Sequence, residues 1–252
     1  MAAQELSGRV AVVTGGAGSI GSAICRRLAA AGANVVVGYN RSETAARELV
    51  ASLDPVEGGH LAHPAPVTQS AGLKELAASV GQRFGACDIL VNCAGTTRFV
   101  AHADLEGLDD ELIDAILATN VRGPFASVRA FLPLLKKSHA AVVLNISSIA
   151  AVTANGSNIM YCASKAAVDN MTKSMARALA PGIRVLSVAP GLVDTDFVAK
   201  LDLAWRNEQV AKTPLQGLAR PEQVAAAVLA AATLLTFTTG AVLPVDGGRP
   251  LA

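Results

Sequence analysis

Between residues 9 and 32 the chain spells an apolar strand, a glycine-rich turn and a helix, and the same alternation of strand and helix then runs to its end. Arg9-Val10-Ala11-Val12-Val13 is a continuous apolar run, the pattern of a strand covered on both faces of a parallel sheet. Thr14-Gly15-Gly16-Ala17-Gly18-Ser19-Ile20-Gly21 follows, and then a helical stretch from Ser22 to Ala31 that stops at Gly32. Asn34 to Gly38 reads as a second strand, and Ser42 to Leu53 as a helix with Ser42 as its N-cap. His60 to Val67 reads as a third strand, held to an edge or irregular course by Pro64 and Pro66. A helix over Ala71 to Arg83 leads into a fourth strand, Asp88 to Asn92. A long helix from about Asp109 to Leu135 carries Gly123-Pro124 as its expected kink. Ala141 to Ile146 is the fifth strand, Met160 to Leu179 a helix, and Ile183 to Val188 the sixth strand. A helix ending near Phe237 and a short strand from Ala241 to Val245 close the pattern. Such alternation implies a parallel sheet with helices on both faces and right-handed crossovers. The 252 residues suffice for one large core and show no repeat or linker, so the expectation is a single domain over 1–252. The irregular stretch from Leu192 to Leu218 is the expected lid over a substrate.

Composition removes several functions. The chain is 52% hydrophobic and 16% charged with a formal net charge of +1, and no basic cluster runs longer than Lys136-Lys137. Nothing there attracts nucleic acid or an anionic membrane. Val224 to Val245 carries no charge and is long enough to raise a membrane span, but Thr233, Thr236, Thr238, Thr239, Gly240 and Pro244 interrupt it. Met1 to Glu5 has neither a basic n-region nor a long apolar stretch, so no signal peptide is expected. Cys25, Cys87, Cys93 and Cys162 show no CxxC spacing and no histidines at metal-site spacing. They read as free thiols of a reducing cytoplasm, with no metal site.

Two motifs carry chemistry. A strand, a glycine-rich turn and a helix form the context in which such a loop binds a dinucleotide. Bare glycines let the backbone approach the pyrophosphate, and the helix N-terminus offers unpaired N–H groups. No Lys-Ser or Lys-Thr follows the last glycine, so the loop is not a nucleotide-triphosphate P-loop. Tyr161 and Lys165 stand four apart and project from one helix face. An ammonium there favours the ionised phenol, which can then exchange a proton with an alcohol or carbonyl oxygen. Taken alone the pair also fits a solvated surface contact, and the loop alone fits a tight turn.

The glycine loop, Asn92-Cys93-Ala94-Gly95, Asn120, Ser148, Tyr161-xxx-Lys165 and Pro190-Gly191-Leu192-Val193-Asp194-Thr195 fall in order along the chain. Together they resemble the short-chain dehydrogenase/reductase family over nearly the full length, from Gly8 to Gly248. The resemblance implies a Rossmann-like, doubly wound, seven-stranded parallel sheet with its ligands at the carboxyl ends of the strands. It makes Tyr161 the general acid in reduction. Lys165 tunes that phenol and holds the nicotinamide ribose, and Ser148 orients the carbonyl. Asn120 is then a kink in the long helix that holds a water linking Lys165 to solvent. Ser147 is the rival for Ser148, and family spacing to Tyr161 selects Ser148. Cofactor contacts are implied for Gly15, Gly18, Ser19, Ile20 and Gly21, for Val67, for Asn92, Ala94 and Gly95, and for Pro190, Gly191, Val193 and Thr195, beside Tyr161 and Lys165.

The chain departs from the family pattern at Ser19, which replaces a glycine, at Pro66, which replaces an Asp before Val67, and at Leu186, which replaces an Asn and reads as core. Cofactor choice rests on Asn40-Arg41-Ser42 after the second strand. No acidic residue stands there before Glu43, and Arg41 can fork onto a 2′-phosphate. NADP(H) is expected, with NAD(H) as the alternative. Many relatives that prefer NADP carry an Arg in the first loop, where this chain has Gly18. The general look is similar to 3-oxoacyl-[acyl-carrier-protein] reductases, although the positions around His139 and Pro181-Gly182, where docking bases for the carrier are sought, hold no Arg or Lys. The expected activity is reduction of a ketone or 3-oxoacyl thioester. The alternatives are an NAD-dependent dehydrogenase of sugars, polyols or secondary alcohols, and a non-catalytic dinucleotide sensor. A homotetramer is implied, with interfaces at the long helices and at the last helix and strand.

Overall fold

The computed structural model describes residues 5–251, and Met1 to Gln4, on which the reading of the leader partly rests, lie outside them. The first unit is a strand β1, Val10–Thr14, and a helix α1, Ser19–Ala30. Then come β2 (Asn34–Tyr39), α2 (Glu43–Ser52), β3 (Leu61–Pro64), α3 (Ser70–Phe84) and β4 (Ile89–Asn92). The second half holds α4 (Asp110–Leu117), α5 (Gly123–Leu135), β5 (Ala141–Ile146), α6 (Ala150–Thr153), α7 (Ile159–Leu179) and β6 (Ile183–Pro190). The closing elements are α8 (Asp196–Ala199), α9 (Leu203–Ala211), α10 (Pro221–Thr233) and β7 (Val242–Val245).

The seven strands pair in the order β3-β2-β1-β4-β5-β6-β7, every pair parallel. Alternation along each strand divides the core. Ala11, Val13, Val142, Leu144, Leu186 and Val188 face α1, α2 and α10, whereas Val10, Val12, Val143, Ile183 and Val185 face α3, α5 and α7. Leu186 is fully buried in the first of these layers. The chain winds outward from β1 to β3 and then returns to β4, so the order reverses between β1 and β4. A crevice opens at the carboxyl ends of such neighbours.

Several boundaries differ from the sequence reading for identifiable reasons. β3 ends at Pro64 instead of reaching Val67, because Pro66 has no N–H to continue the ladder. The third strand does lie at the edge of the sheet. Ser42 sits at the N-cap of α2, but its side chain makes no capping hydrogen bond. The long helix breaks upstream of Gly123-Pro124, around Asn120, where the family resemblance also implies a kink. Ala118–Arg122 forms a wide π turn in which Gly123 N–H donates to the Ala118 carbonyl, and Gly123-Pro124 simply opens α5. Pro124 has no N–H for the carbonyl four residues back, that of Asn120, so the regular ladder cannot pass this point. The last helix stops at Thr233, short of Phe237. Leu192 to Leu218 is not irregular, since it contains α8 and α9. Among the described residues, no helix is long and apolar enough to cross a membrane.

Candidate active site

The glycine loop closes the carboxyl end of β1. Gly15 has φ +66°, and a Cβ there would lie 2.8 Å from Ala94 Cα. A Cβ on Gly21 would come within 2.2 Å of the Gly15 carbonyl oxygen. Both positions therefore require glycine: one brings the loops after β1 and β4 together, and the other seats α1 beneath the loop. Thr14 ties the same two loops, its hydroxyl accepting from Cys93 N (3.2 Å) and Ala94 N (3.3 Å). Gly18, in extended conformation, is the N-cap of α1 and provides no side-chain cap. First-turn N–H groups without a capping side chain suit an anion. These features fit the pyrophosphate of a dinucleotide. Ser19, where the sequence departs from glycine, donates its hydroxyl to Asp196 of α8 at 3.2 Å.

The proton-transfer residues come from three segments: the π turn, the segment after β5, and α7. Asn158 starts α7, its Oδ1 accepting from Tyr161 N at 2.7 Å while its Nδ2 donates to the Arg98 carbonyl (2.7 Å) and the Thr97 hydroxyl (3.1 Å). The helix carrying Tyr161 is thereby fixed to the segment after β4. The Lys165 ammonium donates to the Ile146 carbonyl at the end of β5 (2.8 Å) and lies 5.6 Å from the Tyr161 ring centroid. Ser148 follows that strand, and its hydroxyl accepts from Ala150 N at 3.1 Å. Ser147, the rival, is buried and donates to the Lys165 carbonyl. Asn120 lies in the π turn. Its Oδ1 accepts from Thr96 N (2.8 Å), and its Nδ2 donates to the Thr96 carbonyl (3.0 Å) and the Ser164 hydroxyl (3.1 Å). A Cβ on Gly95 would stand 3.5 Å from Asn120 Oδ1 and 3.9 Å from Lys165 Nζ, so the bare Gly95 leaves that space open.

The remaining residues are placed less uniformly. Asn92 is turned away from the crevice, because its side chain is buried and donates to Asn145 across the sheet at 2.8 Å. Val67 is buried against Leu73 and Ala126, which leaves its backbone as the means of contact. Pro190 and Gly191 end β6, where the Pro190 carbonyl accepts from Ile149 N and Gly191 N donates to Val245. Val193 bridges to Ala219, and Thr195 N-caps α8 by accepting from Val198 N. Asn40, Arg41 and Ser42 are exposed beyond β2. Glu43, the nearest acid, is paired with Arg47 at 2.7 Å. His139 and Pro181-Gly182 stand before β5 and β6, at the amino ends of the strands. There they line a cleft of about 450 Å³ with Arg9 and Arg184, at the end of the sheet opposite the active site. These positions, where docking bases for a carrier are sought, therefore lie away from the active-site mouth, which corrects that choice of positions. Asn158, Thr14 and Ser164 escaped the sequence reading, and only the Asn before a helix start hinted at the first.

A family model described as enoyl-(acyl carrier protein) reductase matches residues 15–249. The chain belongs to the short-chain dehydrogenase/reductase family, oxidoreductases that act on the CH–OH/C=O pair with NAD(P). It is 38% identical over 253 residues, all of both chains, to a protein named as ketoacyl reductase 2 of the granaticin polyketide synthase of Streptomyces violaceoruber. It is 34% identical to 3-oxoacyl-[acyl-carrier-protein] reductase FabG of Thermotoga maritima, covering 97% of this chain and 98% of that one. Among solved structures, a short-chain dehydrogenase/reductase of Brucella melitensis named glucose/ribitol dehydrogenase superposes with a TM-score of 0.90 at 28% identity, covering 97% and 98% of the two chains.

Proposed function

We propose that the chain reduces a ketone or a 3-oxoacyl thioester to a secondary alcohol with NADPH, acting as one dinucleotide-binding and catalytic unit with 192–218 as its lid. The observation that carries this reading is the Lys165 ammonium, held on the Ile146 carbonyl beside the Tyr161 ring and the open space over Gly95. When bound, the nicotinamide supplies the hydride that adds to the carbonyl carbon. Tyr161 gives its proton to the carbonyl oxygen, and Lys165 stabilises the negative charge left on the phenolic oxygen. Ser148 donates to the same carbonyl oxygen. Lys165 then reprotonates Tyr161, with the Asn120 turn as the route from solvent. Gly15, Gly18, Ser19, Ile20 and Gly21 would hold the pyrophosphate, and Ala94, Gly95, Pro190, Gly191, Val193 and Thr195 would border the nicotinamide.

Arg41 supports the choice of NADPH. It is exposed and, among the described residues, forms no ion pair, while Arg47 neutralises the one nearby carboxylate. Titration with NADPH and NADH, followed by nicotinamide fluorescence, tests this directly. NADPH should bind more tightly, and Arg41→Ala should weaken it by about 10- to 100-fold, the worth of one charge-assisted contact. An unchanged NADPH affinity in Arg41→Ala would overturn the assignment. Tyr161→Phe should lower turnover of a ketone by at least about 100-fold while leaving NADPH affinity intact. Retained turnover would remove Tyr161 from the reaction. The reduction of 3-oxoacyl thioesters is favoured by the named ketoacyl reductases among the relatives. The four cysteines, all free thiols, agree with a reducing cytoplasm.

A further inference from the structure

We infer that Thr172 is a positioning residue for Tyr161 and Lys165, acting through a buried row of hydrogen bonds that fixes the rotation of α7 on the sheet. The row spans three strands in register, with Asn92 opposite Asn145 and Asn145 opposite Ser187. Asn92 Nδ2 donates to Asn145 Oδ1, Asn145 Nδ2 donates to Thr172 Oγ1, and the Thr172 and Ser187 hydroxyls share a bond, each at 2.8 Å. Asn145, Thr172 and Ser187 are fully buried, and Asn92 is 3% exposed.

Around the row this face of the sheet is packed with Val, Leu, Ile and Ala, and its other buried polar strand residues, Thr14 and Asn34, bond elsewhere. Satisfied buried hydrogen bonds contribute little net stability, and apolar groups of the same shape often serve as well. What a polar row adds is direction: an apolar face tolerates a helix turned by several degrees, whereas a bonded one does not. Thr172 lies two turns after Lys165 on the same face of α7. Lys165 is itself attached to β5, through Nζ to Ile146 and through its carbonyl from Ser147. In the proposed reaction its ammonium also serves the phenol and the cofactor, so Thr172 is the anchor that chemistry leaves undisturbed. A rotation of α7 by about 10° swings an oxygen roughly 8 Å from the axis by about 1.4 Å. A misplacement of about 1 Å can lower a rate by roughly 100-fold.

The inference rests on the carbonyl reduction proposed above, and two readouts separate their failures. In Thr172→Val, kcat for a ketone substrate should fall at least about 10-fold, with KM and NADPH Kd changed less than about threefold, because most binding contacts lie away from the phenol. Thr172→Ser, which keeps the hydroxyl, should restore kcat. The second readout needs no substrate. The chain has two tyrosines, Tyr39 and Tyr161, so in a Tyr39→Phe background ultraviolet absorbance follows the Tyr161 phenol alone. Its titration midpoint should move by at least about half a pH unit in Thr172→Val and not in Thr172→Ser. If Thr172→Val does not fold, Ser187→Ala is read in the same two assays and should show the smaller change in the same direction. A folded Thr172→Val with wild-type kcat and an unmoved titration overturns the inference. So does a loss of kcat, KM, Kd and Tm together that Ser does not rescue. Wild-type protein without turnover, but with a titration that moves in Thr172→Val, overturns the carbonyl reading and leaves the positioning role standing.

Discussion

Cys93 sits one residue beyond β4, among the groups that shape the crevice, yet it is chemically quiet. Burial pushes its thiol up to about 12, against the pull of the Lys165 ammonium. Cys25 and Cys87, both fully buried, are also raised by burial above the ordinary thiol range. At neutral pH none of the three presents a thiolate, the form that reacts. The same shifts set a pH dependence. The native state keeps these protons where the unfolded chain, with thiols near about 8.5, releases them. Native stability is therefore unaffected below about pH 8 and falls as pH rises past about 8.5. Melting curves from pH 7 to 10 should show that fall, and Cys93→Ala should make it shallower. A slope identical to wild type would show that Cys93 ionises freely in the folded protein. Tyr161, Lys165 and Arg41 could be singled out in the sequence because their spacing or flanking residues carry a physical signature, and Ser148 only through the family resemblance. Asn145, Thr172 and Ser187 were not. Each is an ordinary polar residue in its own element, and its partners stand 15 to 53 residues away.

At the level of elements, β1, its glycine loop and α1 form a unit in which backbone meets backbone. A methyl on Gly21 would press on the Gly15 carbonyl at 2.2 Å, and no flexible side chain can yield there. Gly21→Ala should cost about 1–3 kcal/mol of stability, the usual toll of overpacking, and weaken NADPH binding as the loop shifts. Calorimetry together with a fluorescence titration would show both effects. Undiminished affinity would mean that the cofactor does not use this loop. Strand positions were readable because a doubly covered strand is largely an apolar run, as in residues 10–13 and 141–144. The π turn was not. Pro124 announces a break, but its position is set by Asn120, whose side chain bonds to the Thr96 backbone 24 residues earlier. The helices α8 and α9 were missed because they are short: α8 has four residues, and α9 buries none of its nine.

At the scale of the molecule, exposed apolar residues stand at two places on or beside the elements where the family resemblance implies interfaces. Phe125 on α5 is one, and Leu234 and Phe237, between α10 and the half-exposed edge strand β7, form the other. Two such faces used together build a tetramer with three perpendicular twofold axes. Sedimentation equilibrium should therefore return four times the 25.6 kDa chain mass. With a net charge of +1 and apolar contacts, that mass should change little between low and high salt. A monomer at micromolar concentration would leave both faces unexplained. The outline of the sheet was plain from the sequence, since each strand signal was followed by a helix signal. The position of the active site within it depends on the reversal between β1 and β4, which only the pairing order discloses.

The order of the chain also has a consequence in time. α1 packs against α10, the first helix of the chain against the last. During synthesis at about 5–20 residues per second, roughly 190 residues separate the two, so the apolar stripe of α1 waits on the order of 10–40 s for its cover. The glycine loop, made roughly 190 residues before α10, is among the last parts of the protein to become finished structure. A ribosome stalled before Pro221 would hold the glycine loop and α1 without their α10 cover, an exposed apolar surface for a chaperone.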